Sequence, residues 1–91
     1  MKICVFGLWH LGSVTAACLA ESGFDVIGLD SQENIGGLRK GIPPLFEPGL
    51  EKLIKRGMSE GRLSFTDNIE MALKGAQLIW VTFDTPVDEN D

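Results

Sequence analysis

Short apolar runs alternate with amphipathic stretches along the whole chain. Residues 2–6 and 25–29 are apolar runs with β-branched members, which is typical of strands buried in a parallel sheet. Residues 63–65 and 77–83 repeat that pattern in the second half of the chain. The pattern predicts four strands separated by helices, with no internal repeat.

The intervening stretches carry the signals of helix ends. The first predicted helix covers residues 11–22, with Leu11, Val14 and Cys18 at helical spacing, and Gly23 follows as a C-terminal cap. A second helix is expected over 32–40.

Two further helices are expected in the second half of the chain. One is opened by Glu47 and Pro48, carries Leu50, Leu53 and Ile54 as an apolar stripe, and ends at Gly57 or Gly61. The other covers about 68–74, where Asp67 with Glu70 fits a capping arrangement and Gly75 closes the helix.

Four short strands joined by helices predict an α/β fold with a parallel sheet built from right-handed crossovers. The expected strand order is 3-2-1-4, the first half of a Rossmann-type dinucleotide-binding fold plus one strand, with flanking helices. That fold normally has six strands. The 91 residues are therefore expected to be the truncated N-terminal part of such a domain.

Charge and hydropathy exclude several classes of function. The net charge is −5, and four of the thirteen acidic residues lie in the last eight positions. With no basic stripe to neutralise phosphates, no nucleic-acid partner is expected. No apolar run is long enough to span a membrane, and the N-terminus lacks the pattern of a signal peptide. A cytoplasmic protein without a membrane partner is expected.

The cysteines and the one histidine do not indicate a metal site. Cys4 lies in an apolar run and Cys18 on a helix-like face, so both are expected to be small buried residues in a reducing compartment rather than a disulfide. His10 has no partner at metal-ligand spacing. A packing or hydrogen-bonding role is expected for it rather than acid–base catalysis.

The segment that carries chemistry is the glycine-bounded turn at residues 7–12. It directly follows the first strand and opens the first helix, and Asp30 lies 23 residues after Gly7 at the end of the second strand. In a dinucleotide site the glycines allow a tight turn and close approach of the pyrophosphate, and the acid accepts hydrogen bonds from the adenosine ribose. Gly7, Gly12 and Asp30 match this arrangement, whereas Trp9 replaces the middle glycine. A role of both glycines in packing alone is the alternative.

The chain resembles the N-terminal NAD-binding domain of the UDP-glucose/GDP-mannose dehydrogenase family. The resemblance covers essentially the whole chain, and the proline-rich segment 41–50, ending in Glu47-Pro48-Gly49-Leu50, is its most specific part. The other matching segments are 7–12 (Gly-Leu-Trp-His-Leu-Gly), 28–30 (Gly-Leu-Asp), 61–66 (Gly-Arg-Leu-Ser-Phe-Thr) and 81–86 (Val-Thr-Phe-Asp-Thr-Pro).

The resemblance implies an enzyme that oxidises the C6 hydroxymethyl group of a UDP- or GDP-hexose to a carboxylate with two NAD⁺. The family's catalytic cysteine and its neighbours come later in the chain, so the resemblance implies no catalytic residue here and places the catalytic and substrate domains outside this sequence. The implied cofactor is NAD, and the implied partner of the parent enzyme is a nucleotide-sugar substrate. The residues expected at the cofactor are Gly7, Leu8, Trp9, His10, Leu11, Gly12, Asp30 and Thr85. For Thr85, a hydroxyl that satisfies the turn before Pro86 is the alternative.

Two positions depart from the family pattern. Trp9 stands where a glycine is usual, and residues 31–34 (Ser-Gln-Glu-Asn) lack the basic residue that the family commonly carries after the ribose acid. The Asp30 carboxylate nevertheless favours NAD over NADP, because it repels a 2′-phosphate.

Two other functions stay open. One is another NAD-linked dehydrogenase, of the 3-hydroxyacyl-CoA or 6-phosphogluconate type, and the other is a non-catalytic binding or assembly module in which Trp9 closes the pocket. The fourth strand, 77–83, is expected at a sheet edge, and an open apolar edge favours self-association. A homo-oligomer is therefore expected.

Overall fold

Strands and helices alternate along the chain in the computed structural model, which describes residues 1–82. The elements are β1 (Lys2–Phe6), α1 (His10–Glu21), β2 (Asp25–Leu29), α2 (Gln32–Arg39), α3 (Leu50–Ser59), β3 (Leu63–Thr66), α4 (Ile69–Leu73) and β4 (Leu78–Val81). All eight predicted elements are present, and most bounds agree to within one or two residues.

The four strands form one parallel sheet in the order β3-β2-β1-β4, as predicted. Residues of α1, α2 and α3 pack on one face of the sheet, and Ala72 of α4 packs on the other face with Cys4, Ile27 and Leu29. The chain steps from β1 out to β3 and then returns past β1 to β4. With right-handed connections, this reversal places α4 on the opposite face from the earlier helices.

The buried face of α1 differs from the predicted one. Leu11 and Cys18 were expected to face the core, but Leu11 is 53% exposed and Cys18 is also exposed. The helix instead packs through small residues: Gly12, Ser13, Ala16, Ala17 and Ala20. Small side chains let a helix axis approach a sheet closely, so the larger Leu11 and Cys18 point outward.

α3 begins three residues later than the predicted start at Glu47. Its N-cap is Gly49, with a φ of +84° that a residue with a side chain rarely adopts. Glu47 and Pro48 therefore precede the helix, and Glu47 is not a first-turn carboxylate stabilised by the helix dipole. The predicted apolar stripe is confirmed, since Leu50 and Ile54 are buried.

β4 lies at the edge of the sheet, as predicted, and pairs with β1 alone among the described strands. Its four residues, Leu78–Val81, are apolar and between 43% and 55% exposed. Trp80 is therefore a sheet-edge residue, while Phe83 lies outside the described residues. Within residues 1–82, no helix is long and apolar enough to cross a membrane.

Candidate functional site

The turn between β1 and α1 is shaped by Gly7. Its φ of +99° is one that favours glycine, and its N–H donates to the Leu29 carbonyl at the end of β2. The next residue, Leu8, is fully buried and lies beside Gly28, where any side chain would collide with the Leu8 methyl groups. The turn is therefore held on the carboxyl ends of both central strands.

Gly12 is required by the close contact of α1 with this turn. A Cβ atom at Gly12 would collide with the Gly7 carbonyl oxygen and lie 2.5 Å from the Thr82 hydroxyl oxygen. That hydroxyl donates a buried 2.6 Å hydrogen bond to the Gly7 carbonyl. Ser13, also buried, donates from its hydroxyl to the Leu8 carbonyl at 2.8 Å. The two carbonyls at the turn are thus fixed by side chains.

Asp30 is bonded to the glycine turn and to the start of α2. Its Oδ2 atom accepts a 2.7 Å hydrogen bond from the Leu8 N–H. Its Oδ1 atom accepts from the Ser31 N–H at 2.7 Å and from Asn34 Nδ2 at 3.0 Å. The residue is part-buried and precedes the N-terminus of α2, where the helix dipole favours a negative charge. The predicted ribose acid and the predicted phosphate turn are therefore in direct contact.

Trp9 takes the N-cap position of α1 with a φ of −73°, a value open to any residue. The φ of Trp9 therefore does not by itself require glycine at position 9. The side chain is 46% exposed and lines a cleft of about 300 Å³ together with Asn34 of α2 and the segment 42–44. The Trp9 side chain therefore lies on the side of the glycine turn that faces α2.

His10, the first residue of α1, faces the segment that precedes α3. Its Nε2 atom lies 3.8 Å from Glu47 Oε2, which is too long for a hydrogen bond and close enough for an ion pair if the imidazole is protonated. Its Nδ1 atom is buried and has no hydrogen-bond partner within the part of the chain that the structure describes. This contact brings the family-like segment 41–50 to the mouth of the glycine turn.

A cleft of about 210 Å³ opens beside Asp30 on the α4 face of the sheet. Leu29 and Ile69 provide apolar walls, and Ser31 and Asp67 provide polar ones. A wider cleft of about 600 Å³ lies between the segment 42–49 and the outer face of α3. The smaller cleft adjoins the Asp30 carboxylate, so it is the one that belongs to the candidate site.

The two cysteines have different surroundings. Burial raises the pKa of the Cys4 thiol, which keeps it in the protonated form that is a poor nucleophile. Cys18 is exposed, so its predicted burial is wrong. Both thiols are free. Among residues 1–82, no group of three or more His, Cys, Asp or Glu side chains is arranged to hold a metal ion.

The structure brings together most of the predicted cofactor residues and adds three that the sequence did not indicate. The Leu8 N–H bonds to Asp30, and Gly12 lies against the Gly7 carbonyl. Trp9 and His10 lie at the rim of this group. Leu11 lies in the first turn of α1 with an outward side chain, and Thr85 lies outside the described residues. The added residues are Ser13, Asn34 and Thr82. The sequence feature that could have indicated Thr82 is a polar residue directly after an apolar strand.

The chain has close relatives of known class. A family profile described as "UDP-glucose/GDP-mannose dehydrogenase family, NAD binding domain" matches residues 1–91. A UDP-glucose 6-dehydrogenase of Rhizobium meliloti is 37% identical over 100% of this chain and 21% of its own length. A GDP-mannose 6-dehydrogenase of Pseudomonas savastanoi pv. phaseolicola is 38% identical over 99% of this chain and 21% of its own. The chain thus spans about a fifth of the length of these relatives.

Solved structures share the fold. A ternary complex of GDP-mannose dehydrogenase from Pseudomonas aeruginosa superimposes with a TM-score of 0.90 at 38% identity, covering 99% of this chain and 21% of that one. A UDP-glucose dehydrogenase from Pyrobaculum islandicum gives a TM-score of 0.86 at 35% identity, covering 97% of this chain and 21% of that one. The Rossmann-type sheet predicted from the sequence is therefore confirmed.

Proposed function

The chain belongs to the UDP-glucose/GDP-mannose dehydrogenase family as its NAD-binding domain, and from this we propose how its own residues hold NAD⁺. The cofactor lies across the carboxyl ends of β1 and β2, with the glycine turn and Asp30 as its two anchors. The observation that carries this proposal is the 2.7 Å hydrogen bond from the Leu8 N–H to Asp30 Oδ2. It joins the phosphate-binding turn and the ribose acid into one preformed unit.

The pyrophosphate is placed at the N-terminus of α1. The first turn of an α-helix has N–H groups without partners in the helix itself, and the positive end of the helix dipole attracts anions. Gly12 allows α1 to lie directly against the Gly7 carbonyl, which brings that N-terminus over the end of β1. Gly7 and Leu8 shape this cradle through the path of their backbone, since their own N–H groups already donate to the Leu29 carbonyl and to Asp30 Oδ2. His10 and Leu11 lie at the start of α1 beside the proposed pyrophosphate, and NAD⁺ bound there supplies a hydride acceptor.

The adenosine ribose is placed on Asp30. A carboxylate has about four lone-pair sites, and the protein's own donors occupy two on Oδ1 and one on Oδ2. Oδ2 therefore keeps a site for a ribose hydroxyl. The negative charge repels the 2′-phosphate of NADP⁺, and residues 31–34 contain no cation that could offset the repulsion. The adenine occupies the adjoining 210 Å³ cleft between Leu29 and Ile69.

Trp9 is proposed to flank the cofactor rather than to close its site. The indole borders the cleft between α2 and the segment 42–44, whereas the proposed adenine cleft lies beside Leu29 and Ile69. In the binding-module alternative, Trp9 blocks the pyrophosphate and the chain does not bind NAD⁺. Thr85 is proposed as a cofactor residue from the resemblance to the family alone, because it lies outside the described residues.

The activity proposed for the longer enzyme is oxidation of the C6 hydroxymethyl group of a UDP- or GDP-hexose to a carboxylate. Two NAD⁺ each accept one hydride, and water supplies the second carboxylate oxygen. The 91 residues are proposed to be the N-terminal part of the NAD-binding domain, with the catalytic and substrate domains elsewhere. Incubation of this chain with NAD⁺ and UDP-glucose or GDP-mannose should therefore give no NADH.

Calorimetric titration with NAD⁺ and NADP⁺ tests the cofactor site. NAD⁺ should bind with a clear preference over NADP⁺. Asp30→Ala should weaken NAD⁺ binding about 10- to 100-fold, because it removes hydrogen bonds to a charged acceptor. Glu33→Ala removes a neighbouring exposed carboxylate and should leave the affinity unchanged.

The Trp9→Gly variant distinguishes the two hypotheses for Trp9, that it flanks the cofactor or that it blocks the pyrophosphate. If Trp9 flanks the cofactor, the variant should bind NAD⁺ with an affinity within a fewfold of the unaltered chain. Absence of binding by the unaltered chain, with binding restored in Trp9→Gly, would support the binding module and refute the proposed site. Circular dichroism of each variant tests whether the fold is retained.

A further inference from the structure

The Asp30 carboxylate is held by three donors of different origin. Two are backbone amides, those of Leu8 and Ser31, and no substitution at those positions removes them short of proline. The third is the side-chain amide of Asn34, at 3.0 Å from Oδ1. Among residues 1–82, Asn34 is therefore the one side chain that donates a hydrogen bond to this carboxylate.

The local arrangement is a variant of a helix N-terminal capping box. Ser31 is the N-cap of α2, and its hydroxyl accepts from the Asn34 N–H. In the usual box the side chain of the third helical residue turns back to the N-cap N–H. Here the Asp30 carboxylate accepts the Ser31 N–H, and the Asn34 side chain donates to that carboxylate. The Asn34 side chain therefore does not cap α2 and instead donates a hydrogen bond to Asp30.

We infer that Asn34 is a positioning residue for the cofactor, which sets the Asp30 carboxylate in the orientation that receives the adenosine ribose and which influences the choice between NAD⁺ and NADP⁺. The inference rests on the proposed role of Asp30. Without the Asn34 amide, Oδ1 retains one donor and the carboxylate gains rotational freedom, part of which ribose binding must then remove.

Asn34 is also a position at which a cation could change the preference for NAD⁺ over NADP⁺. It borders the cleft that Trp9 shares with the segment 42–44, and its neighbours in sequence are neutral or acidic. A basic side chain at position 34 would lie beside the Asp30 carboxylate and partly neutralise it. The repulsion of a 2′-phosphate would then decrease.

Replacing Asn34 is expected to change cofactor affinity without destabilising α2. The Ser31 hydroxyl bonds to the backbone N–H of Asn34, so Asn34→Ala keeps that cap. Alanine is also a better helix former than asparagine, and position 34 is exposed. The variant is therefore expected to fold with unchanged or slightly raised thermal stability.

The experiment measures NAD⁺ and NADP⁺ affinities of four variants by calorimetry. Asn34→Ala should weaken NAD⁺ binding about three- to tenfold. Asn34→Asp, similar in shape but acidic, should weaken it further because two carboxylates then face each other. Asn34→Arg should narrow the ratio of NAD⁺ to NADP⁺ affinity. Gln32→Ala, exposed in the same turn, is the matched control and should bind as the unaltered chain does.

A double-mutant cycle distinguishes positioning from a general structural role. In an Asp30→Ala background, Asn34→Ala should have no further effect on NAD⁺ affinity, because the group that it orients is gone. Binding by Asn34→Ala within twofold of the unaltered chain, or an equal loss in both backgrounds, overturns the inference while Asp30 keeps its proposed role. Failure of the unaltered chain to bind NAD⁺ overturns the proposed function and this inference with it.

Discussion

Gly12 shows at the scale of one residue how tightly the cofactor turn is built. No backbone strain demands glycine there. The requirement comes from space, because the Gly7 carbonyl and the Thr82 hydroxyl occupy the volume of a side chain. The hydroxyl of Thr82 and the hydroxyl of Ser13 then satisfy two carbonyls that α1 covers. Close packing and polar satisfaction at this point depend on one another.

Gly12→Ala should therefore destabilise the fold by at least about 2 kcal/mol, since the added methyl group forces α1 away from β1. Gly36→Ala is the matched control: position 36 lies within α2, and a Cβ there meets nothing within 4 Å. That variant should gain about 0.5–1 kcal/mol, because alanine has less backbone entropy to lose than glycine. Urea unfolding of both variants measures the difference, and equal stabilities would contradict this account of Gly12.

At the scale of elements, the short helix α4 depends on a cap at a position next to the predicted one. Asp67 with Glu70 fitted the spacing of a capping box, but the residue that caps is Asn68, whose Oδ1 accepts from the Met71 N–H at 2.9 Å. β3 continues to Thr66 and α4 begins at Ile69, so the two-residue turn between them lies one residue later than predicted. Asp and Asn are almost equally good caps, and only the path of the turn decides between neighbours.

Asn68→Ala should lower the free energy of unfolding by about 1 kcal/mol, since the Met71 N–H in the first turn of α4 loses its acceptor. Asp67→Ala should change it by less than about 0.5 kcal/mol, as is usual for an exposed site. Thermal or urea denaturation of the two variants makes the comparison. A larger loss for Asp67→Ala than for Asn68→Ala would show that the cap is misassigned.

At the scale of the whole molecule, helices cover one edge of the sheet more fully than the other. β3 at one edge carries α2 and α3 beside it, whereas both faces of β4 are exposed at the other edge. Register partners in a parallel sheet share a face, so Leu78 and Trp80 lie on the α1 face and Ile79 and Val81 on the α4 face. Within residues 1–82, β4 has no strand on its outer side, and such an edge with apolar side chains on both faces is a surface on which another strand can pair.

This chain is therefore expected to self-associate through β4, with an apparent mass by light scattering that rises with concentration. Ile79→Lys places a charge on the edge and should shift the profile toward the monomer. Phe46→Lys removes an apolar side chain that is 88% exposed but lies away from the sheet edge, and it should leave association unchanged. A monomer at every concentration, or equal effects of the two variants, would argue against pairing through β4.

Much of this protein could be predicted from its sequence, because the relevant signals are local or periodic. The four apolar runs specify strands, the turn from Gly7 to Gly12 specifies where α1 begins, and right-handed crossovers leave the order 3-2-1-4 as the expected arrangement. Spacing also predicts that Gly7, Gly12 and Asp30 share one site, and in the structure they lie together at the ends of β1 and β2. The family was also apparent, since the segment 41–50 is far more specific than a glycine pattern.

Other features were decided by contacts between residues far apart in the sequence. Leu11 and Cys18 have helical spacing, but the closeness of α1 to the sheet selects the small-residue face for burial. The hydrogen bond from Thr82 to Gly7 spans 75 residues, and that from Leu8 to Asp30 spans 22. Composition and periodicity describe what each segment prefers by itself. Which carboxylate oxygen meets which amide depends on how the segments lie in space, and only the tertiary structure determines that.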